Sequence, residues 1–162
     1  MNLRLATLLA ATVTTGMVAG VFALYAHTIM PGLTDTDDRT FVGAFQAIDR
    51  AIINPLFMLT FLGALVLTGA SGVLLRRDGG GALPWVAVAF ALYLVTFLIT
   101  IAVNVPLNDA IKAAGDPDRI DLATVRADFH EARWMAWNVV RAVLNTVAFG
   151  CLTWALVLAG RA

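Results

Sequence analysis

The stretch PWVAVAFALYLVTFLITIAVNVPLNDA, from Pro84 to Ala110, decides the fold of this chain. Its residues up to Val103 are almost all apolar, and the run has the roughly 20 residues that a helix needs to cross a bilayer. Three further apolar runs have a similar length: Leu5–Ala26, Ile52–Leu75 and about Asn138–Ala159. The sequence therefore predicts an all-α integral membrane protein, an antiparallel four-helix bundle that forms a single domain over residues 1–162.

The composition agrees with a membrane protein. Hydrophobic residues make up 60% of the 162 residues and charged residues 14%, whereas soluble domains carry roughly a quarter of charged residues. The formal net charge is zero and there is no long basic run, so nothing favours nucleic acid as a partner. The single cysteine, Cys151, allows neither an intramolecular disulfide nor a cysteine-based zinc motif. The expected partner is the lipid bilayer.

The linkers predict how the spans are arranged. The linker Arg76–Leu83 is short and rich in glycine, so the second and third spans are expected to be antiparallel neighbours. The two longer linkers hold all the acidic residues except Asp78. Arginines mark the opposite end of the bundle, namely Arg4, Arg76, Arg77 and Arg161. The positive-inside rule then places both termini in the cytoplasm and the protein in the cell membrane.

Both longer linkers carry helical patterns. In DDRTFVGAFQAIDRAI, residues 37–52, the apolar residues Phe41, Phe45, Ile48 and Ile52 recur at helical spacing, which predicts an amphipathic helix in the first long linker. From about Leu122 a helical pattern runs into the fourth span without interruption. The prediction is one extended fourth helix whose first half lies beyond the apolar run.

Polar residues lie at one end of the first three spans. His27 shares a helical face with Gly16 and Gly20, a pair of small residues that lets another helix approach closely. Asn54 opens the second span. Alternative readings are a histidine that reaches the headgroups and an asparagine that only caps its helix. In the third span, polar residues are spaced by four and Pro106 leaves a backbone carbonyl unpaired; these residues are Thr96, Thr100, Asn104 and Asn108.

The fourth span has a longer polar face. Residues at steps of four, four, three and four share it, namely His130, Trp134, Asn138, Arg141 and Asn145, and Trp137 flanks them. A charged side chain costs about 2.5–3.5 kcal/mol at the centre of a span and less near its edge. Arg141 is therefore expected to face inward, although an arginine that reaches the headgroups between interfacial tryptophans is the alternative. Its expected acceptors are neutral: the side-chain oxygens of Asn104, Asn108 and Asn54, and the carbonyl freed by Pro106.

Because the direction of the chain alternates, these residues are expected to meet at one level. His27 ends the first span, Asn54 begins the second, Asn104 ends the third and Arg141 begins the fourth. The result would be a polar pocket in the non-cytoplasmic leaflet with aromatic walls formed by Trp134, Trp137, Phe57 and Tyr25. Apolar walls with a few convergent polar groups are typical of a small-molecule site.

Four short motifs resemble those of the anthrone oxygenase-like family of small membrane proteins, much of which was long catalogued as a domain of unknown function. They are MPGL (30–33), INPLF (53–57), NVPLND (104–109) and RWMAWNVVRAVLNT (133–146), in an order and spacing specific to the family, and the resemblance covers nearly the whole chain. The resemblance implies a four-helix membrane fold. Named members oxidise anthrones to anthraquinones with dioxygen. The family's polar motif positions correspond to Asn54, Pro55, Asn104, Pro106, Asn108, Trp134, Asn138 and Arg141.

Three functions fit these residues. In the first, an oxygenase acts on a flat, phenolic, lipid-soluble substrate, with His27 or His130 as the base and with Arg141, Asn138 and Asn104 as donors to the developing enolate. Its deprotonated substrate can reduce dioxygen directly, so dioxygen is the co-substrate and no cofactor is predicted.

The second is a non-catalytic carrier, sensor or accessory subunit that binds quinones or similar lipid-soluble molecules in the same pocket. In the third, His27 and His130 are ligands of a metal or haem, and Asp128 or Glu131 would complete a metal shell. The oligomeric state is left open, a homo-oligomer included.

Overall fold

The computed structural model describes residues 2–76 and 81–161, and within these ranges the chain is all-α with no strand. Arg77, Asp78 and Ala162, which enter the argument on orientation, lie outside the described residues. The α-helices are α1 (Leu3–Leu24), α2 (Met30–Thr34), α3 (Asp38–Ile52), α4 (Pro55–Leu75), α5 (Leu83–Ile99), α6 (Val105–Ala113), α7 (Leu122–Asp128) and α8 (Glu131–Ala159).

Within the described residues, four helical segments are long and apolar enough to cross a membrane, which agrees with the four spans that the apolar runs predict. They are Leu3–Thr34, Pro55–Leu75, Leu83–Ala113 and Glu131–Ala159. The first and third are longer than the apolar runs because the helix continues beyond them. Side chains such as Leu56, Leu59 and Val66 point outward, as expected where lipid rather than water surrounds a helix.

The spanning helices pack around two contiguous cores. α1 and α5 each pack against both α4 and α8. Small and aliphatic side chains fill the first core, among them Leu8, Ala11, Val86, Ala148 and Leu152. The second core lies towards the other ends of the same helices and contains Val18, Phe22, Phe61, Tyr93 and Ala142. Among the described residues, this second core contains aromatic residues, whereas the first core contains none.

In the part of the chain that the structure describes, two π-helical turns interrupt the spans, at Tyr25–Ile29 and Thr100–Asn104. In each turn a backbone hydrogen bond joins residues that are five positions apart: the N–H of Met30 donates to the carbonyl of Tyr25, and that of Val105 to the carbonyl of Thr100. A proline follows each turn, Pro31 and Pro106. Proline removes a donor and its ring clashes with the carbonyl four residues earlier, and a wider turn relieves that clash. Every side chain after a π turn is rotated by about one residue relative to a continuous α-helix.

The linker helix α3 lies across the ends of the spanning helices. It begins at a cap in which Asp37 accepts a hydrogen bond from the N–H of Thr40 at 2.8 Å. The Nε2 of Gln46 donates to the carbonyls of Ile111 (2.8 Å) and Gly115 (3.0 Å), at the end of α6. The buried residues of α3 share one face, namely Phe41, Val42, Phe45, Gln46 and Asp49. This face covers the end of the bundle.

The prediction of one continuous fourth helix is wrong. α7 ends at Asp128 and α8 begins at Glu131, and His130 between them adopts a left-handed backbone conformation with φ = 53°. The break turns Phe129 into a third core, which also contains Phe41, Phe45 and Trp134, and its ring lies 4.5 Å from that of Phe45. It also allows Arg126 of α7 to donate hydrogen bonds to the carbonyls of Thr34 and Thr36, each at 2.9 Å. The residues on both sides of His130 keep helical spacing, so the sequence pattern does not show the break.

Gly16 and Gly20 provide a matched test of the contact between α1 and α8. A Cβ at Gly16 would meet the ring of Phe149 on α8 at 2.8 Å, whereas a Cβ at Gly20 meets nothing within 4 Å. Gly→Ala in a helix gains roughly 1 kcal/mol of stability, and overpacking costs about 1–3 kcal/mol. We expect Gly20→Ala to melt above the parent in detergent and Gly16→Ala to melt below Gly20→Ala. Equal melting temperatures would contradict the close approach at Gly16.

Candidate functional site

A cavity of about 230 Å³ lies beneath α3 at the end of the bundle. Its walls come from the last turns of α1, from α3, from the first turns of α4 and α8, and from the chain around the second π turn. Aliphatic and aromatic side chains form its apolar walls, and the aromatic ones are Phe22, Tyr25, Phe45, Phe57, Phe61 and Trp134. The polar lining consists of Asp49, Thr100, Asn108, Asp109, Lys112, Asn138 and Arg141.

Arg141 is the buried cation of this cavity, with 4% of its surface exposed. Its Nη2 donates to Oδ1 of Asn138 at 2.9 Å and its Nη1 to the hydroxyl of Thr100 at 3.3 Å. The guanidinium carbon lies 4.4 Å from the centre of the Phe22 ring and 5.5 Å from that of Trp134. Such contacts stabilise a desolvated cation by up to about 2 kcal/mol. In the described part of the chain no carboxylate pairs with Arg141, and its Nε has no hydrogen-bond partner.

Two asparagines on α8 anchor the arginine to neighbouring helices. The Nδ2 of Asn138 donates to the carbonyl of Phe22 on α1 at 3.1 Å. One turn beyond Arg141, the Nδ2 of Asn145 donates to the hydroxyl of Thr96 on α5 at 3.1 Å and to the carbonyl of Arg141 at 3.0 Å. These bonds connect α8 to both neighbours and fix the depth at which the guanidinium sits.

The other polar part of the cavity is a chain of four side chains. The Nζ of Lys112 lies 2.8 Å from Oδ2 of Asp49. Oδ1 of Asp49 accepts a hydrogen bond from Nδ2 of Asn108 at 2.6 Å, and Oδ1 of Asn108 accepts one from Nε1 of Trp134 at 2.6 Å. Lys112 also pairs with Asp109 at 3.0 Å. The network links the linker helix α3 to α6 and α8.

Sequence reasoning missed Asp49, although a signal was present. Asp49 follows Phe45 by four residues and therefore lies on the apolar face of α3, where an acidic residue is costly unless it has a partner. The side chain is buried, with 7% of the residue exposed. The polar residues that the sequence pattern singles out lie in the apolar runs and at the ends of the spans, whereas Asp49 lies in the linker before the second run.

The structure brings together four residues that the sequence singles out, because Asn108, Trp134, Asn138 and Arg141 all line the cavity. Phe57 and Tyr25 form part of its wall, as expected. Asn104 and Asn145 are buried but lie behind the lining rather than in it. Asn104 donates through Nδ2 to the carbonyl of Trp134 at 3.3 Å, so it joins the second π turn to α8.

Four residues expected at the pocket lie outside it. His27 is exposed and its Nδ1 lies 2.6 Å from the hydroxyl of Thr28. His130 is exposed at the rim, in a shallow depression beside Glu131. Asn54 caps α4, where its Oδ1 accepts a hydrogen bond from the N–H of Phe57, and Trp137 is 37% exposed on the outer side of α8. The placement of the histidines supports neither the base assignment nor the metal-ligand alternative.

The expected partners of Arg141 are also corrected. Its acceptors are neutral, as predicted, but they are Asn138 and Thr100 rather than Asn54, Asn104, Asn108 or a carbonyl freed by Pro106. The second π turn explains why Asn104 is not an acceptor of Arg141. It replaces a step of four after Thr100 by a step of five, so that Val105 faces the cavity and Asn104 turns towards α8.

Comparison with known proteins identifies one family. A family model described as anthrone oxygenase matches residues 50–151, the part of the chain that contains α4 to α7 and most of α8. No curated protein and no solved structure matches the chain. The matched range includes the cation of the cavity, the two asparagines that hold it, and Asn108, Lys112 and Trp134.

Trp134 and Trp137 on α8 provide a test of the site. Trp134→Phe removes the donor to Asn108 and leaves a half-buried amide oxygen without this partner, which costs about 1–3 kcal/mol. Trp137→Phe changes a partly exposed side chain that does not line the cavity. We expect a lower melting temperature in detergent for Trp134→Phe only. An equal loss in Trp137→Phe would contradict a stabilising role specific to the bond between Trp134 and Asn108.

Proposed function

Because this chain belongs to the anthrone oxygenase family, we propose that it binds a flat phenolic or quinone-like molecule in the cavity and oxidises it with dioxygen. The substrate class is an anthrone or a related tricyclic phenol with a methylene group conjugated to a ring carbonyl. The product is the corresponding quinone. The protein acts within the membrane, where such molecules dissolve.

The buried guanidinium of Arg141 carries the proposal. Its acceptors, Asn138 and Thr100, are neutral, so its positive charge is not compensated by an ion pair. Its Nε has no partner among the described residues. A phenolate or enolate oxygen in the cavity supplies the missing negative charge and an acceptor for a charge-assisted hydrogen bond. The same contact strengthens as the substrate loses a proton, which is the property required for stabilisation of a transition state.

The walls favour a flat aromatic ligand. The rings of Phe57 and Phe61 are nearly parallel, with an interplanar angle of 7°, and Trp134 and Tyr25 lie 5.9 Å apart across another part of the wall. Aromatic rings pack favourably against such surfaces. The volume of about 230 Å³ lies below the roughly 300–1,000 Å³ typical of small-molecule pockets. This size suits a compact ring system rather than a phospholipid.

The proposed reaction balances without another oxidant. Removal of a methylene proton leaves an electron pair on the substrate, which is delocalised onto the ring oxygen. One electron passes to dioxygen, and the two radicals combine to form a hydroperoxide. Loss of water then gives the new carbonyl, so CH₂ and O₂ become C=O and H₂O. Arg141 holds the oxygen on which the negative charge develops.

A non-catalytic carrier or sensor of lipid-soluble molecules is the second candidate. The observation in its favour is the open side of the cavity, because the lining residues Ile53 and Val105 are exposed on the outer surface. An opening between α4 and α6 would admit a ligand directly from the bilayer and let it leave unchanged. Formation of quinone by the purified protein distinguishes the two candidates.

We further propose that the spans form an antiparallel bundle with both termini in the cytoplasm. The support is the charge of the helix ends that lie away from the cavity, at Arg4, Arg76 and Arg161. The cavity then lies in the non-cytoplasmic leaflet. A reporter that is active only in the cytoplasm, fused after Ala162, is expected to be active. A well-expressed but inactive fusion would reverse the orientation.

Substitution of Arg141 tests the proposed function. Arg141→Met removes the cation but keeps an apolar side chain of similar length, so the protein is expected to fold. A hydrogen bond to a charged group contributes about 1.5–3 kcal/mol, which corresponds to about tenfold to a hundredfold in affinity for a phenolate. We expect such a loss for Arg141→Met, and a smaller loss for Arg141→Lys, which keeps the charge but not the planar fork.

The measurements are anthrone binding, the rate of anthraquinone formation above the spontaneous rate, and the melting temperature in detergent. Arg133→Met is the matched control, because Arg133 lies on the same helix but is exposed and outside the cavity. Parent-like binding and turnover by a folded Arg141→Met would refute the anion site. Binding without quinone formation by the parent would favour the carrier.

A further inference from the structure

We propose that Asp49 is the base that removes the methylene proton of the substrate. This assignment rests on the proposed function of the cavity, but it does not come from the family. The matched range begins at residue 50, so Asp49 lies immediately before it. The inference therefore rests on the position of this carboxylate in the fold.

Asp49 has the position that the base needs. Two carboxylates line the cavity, Asp49 and Asp109, and only Asp49 is buried. Neither His27 nor His130 lines it. Lys112 also lines the cavity, but its ammonium is shared between Asp49 and Asp109, and an ammonium held by two carboxylates keeps its proton.

The surroundings of Asp49 orient its carboxylate and leave room for a proton. Oδ1 accepts one hydrogen bond, from Asn108, and Oδ2 pairs with Lys112. A carboxylate offers about four acceptor positions, so two are free for the substrate. Trp134 holds Asn108 through its oxygen, which fixes the amide so that its nitrogen points at Asp49. Lys112, Asn108 and Trp134 are positioning residues in this scheme.

The charge of the site remains balanced when the proton moves. The C–H bond breaks, the proton goes to an oxygen of Asp49, and the electron pair moves to the ring oxygen beside Arg141. Lys112 loses a charged partner in Asp49 but keeps Asp109, 3.0 Å away. The neutral Asp49 then returns the proton to the peroxide formed with dioxygen. It removes the second methylene proton as the O–O bond breaks, and that proton and the released hydroxide form water.

Deuterium exchange without oxygen tests this step separately from oxidation. Parent protein in detergent is incubated anaerobically with anthrone deuterated at its methylene carbon, and loss of deuterium to water is followed by mass spectrometry. General-base catalysis contributes on the order of 100-fold or more. We expect Asp49→Asn to lose exchange by that factor, with anthrone affinity within a fewfold of the parent, and Asp49→Glu to restore part of the rate.

Two controls keep the test valid. Asp118→Asn removes an exposed carboxylate that pairs with Arg39, and it is expected to exchange at the parent rate. If Asp49→Asn alone fails to fold, Asp49→Asn combined with Lys112→Gln removes both charges of the pair, which is better tolerated than removal of one. This double variant is expected to bind anthrone without catalysing exchange.

The outcomes separate the two proposals. If the parent forms anthraquinone in air but Asp49→Asn, or the folded double variant, exchanges deuterium at the parent rate, then Asp49 is not the base and the oxygenase function stands. If the parent neither binds nor oxidises anthrone, both proposals fail. If the parent oxidises anthrone but catalyses no anaerobic exchange, then no residue of this protein removes the methylene proton, and the assignment of Asp49 as the base is refuted.

Discussion

The structure depends on the burial of one positive charge within an apolar bundle. An arginine is effectively always protonated, so Arg141 cannot escape the cost of burial by losing its charge. Its stabilisation comes from two neutral acceptors, Asn138 and Thr100, and from the faces of two aromatic rings. These groups belong to three separate stretches of the chain, which must therefore meet at the level of the guanidinium. The cavity is the space left where they meet.

The two π turns determine which side chains reach that level. Between Thr100 and Lys112, the lining residues are Val105, Asn108 and Asp109, so a step of five is followed by steps of three and four. A continuous α-helix would have placed Asn104 at the cavity and turned Val105 away. The turn at Tyr25–Ile29 likewise changes the helical spacing between Tyr25 and Leu33, which both line the cavity. Prolines after both turns make this geometry a consequence of the sequence, since the α-helical alternative is sterically blocked.

Prediction from sequence succeeded where the backbone is regular. The four spans follow from apolar length, and Trp134, Asn138 and Arg141 were placed correctly because α8 keeps its helical spacing through all three. It failed where the backbone departs from that spacing, at Asn104 and at His130. The prediction that His27 lines the pocket failed for another reason, because the buried face of α1 carries Thr15, Val18 and Phe22 rather than the glycines. Small residues indicate close approach, but they do not show which neighbouring face is buried.

Asp49 shows why the two buried charges of the site, Asp49 and Arg141, come from different kinds of helix. A second charge within an apolar span would add to the cost of inserting that span. α3 is a linker helix and carries several other charged residues, so Asp49 lies outside the four apolar spans. It becomes buried only when α3 packs across the ends of the spans and Lys112 compensates its charge. Both buried charges therefore reach one cavity, but of these two only Arg141 is carried by a membrane-spanning helix.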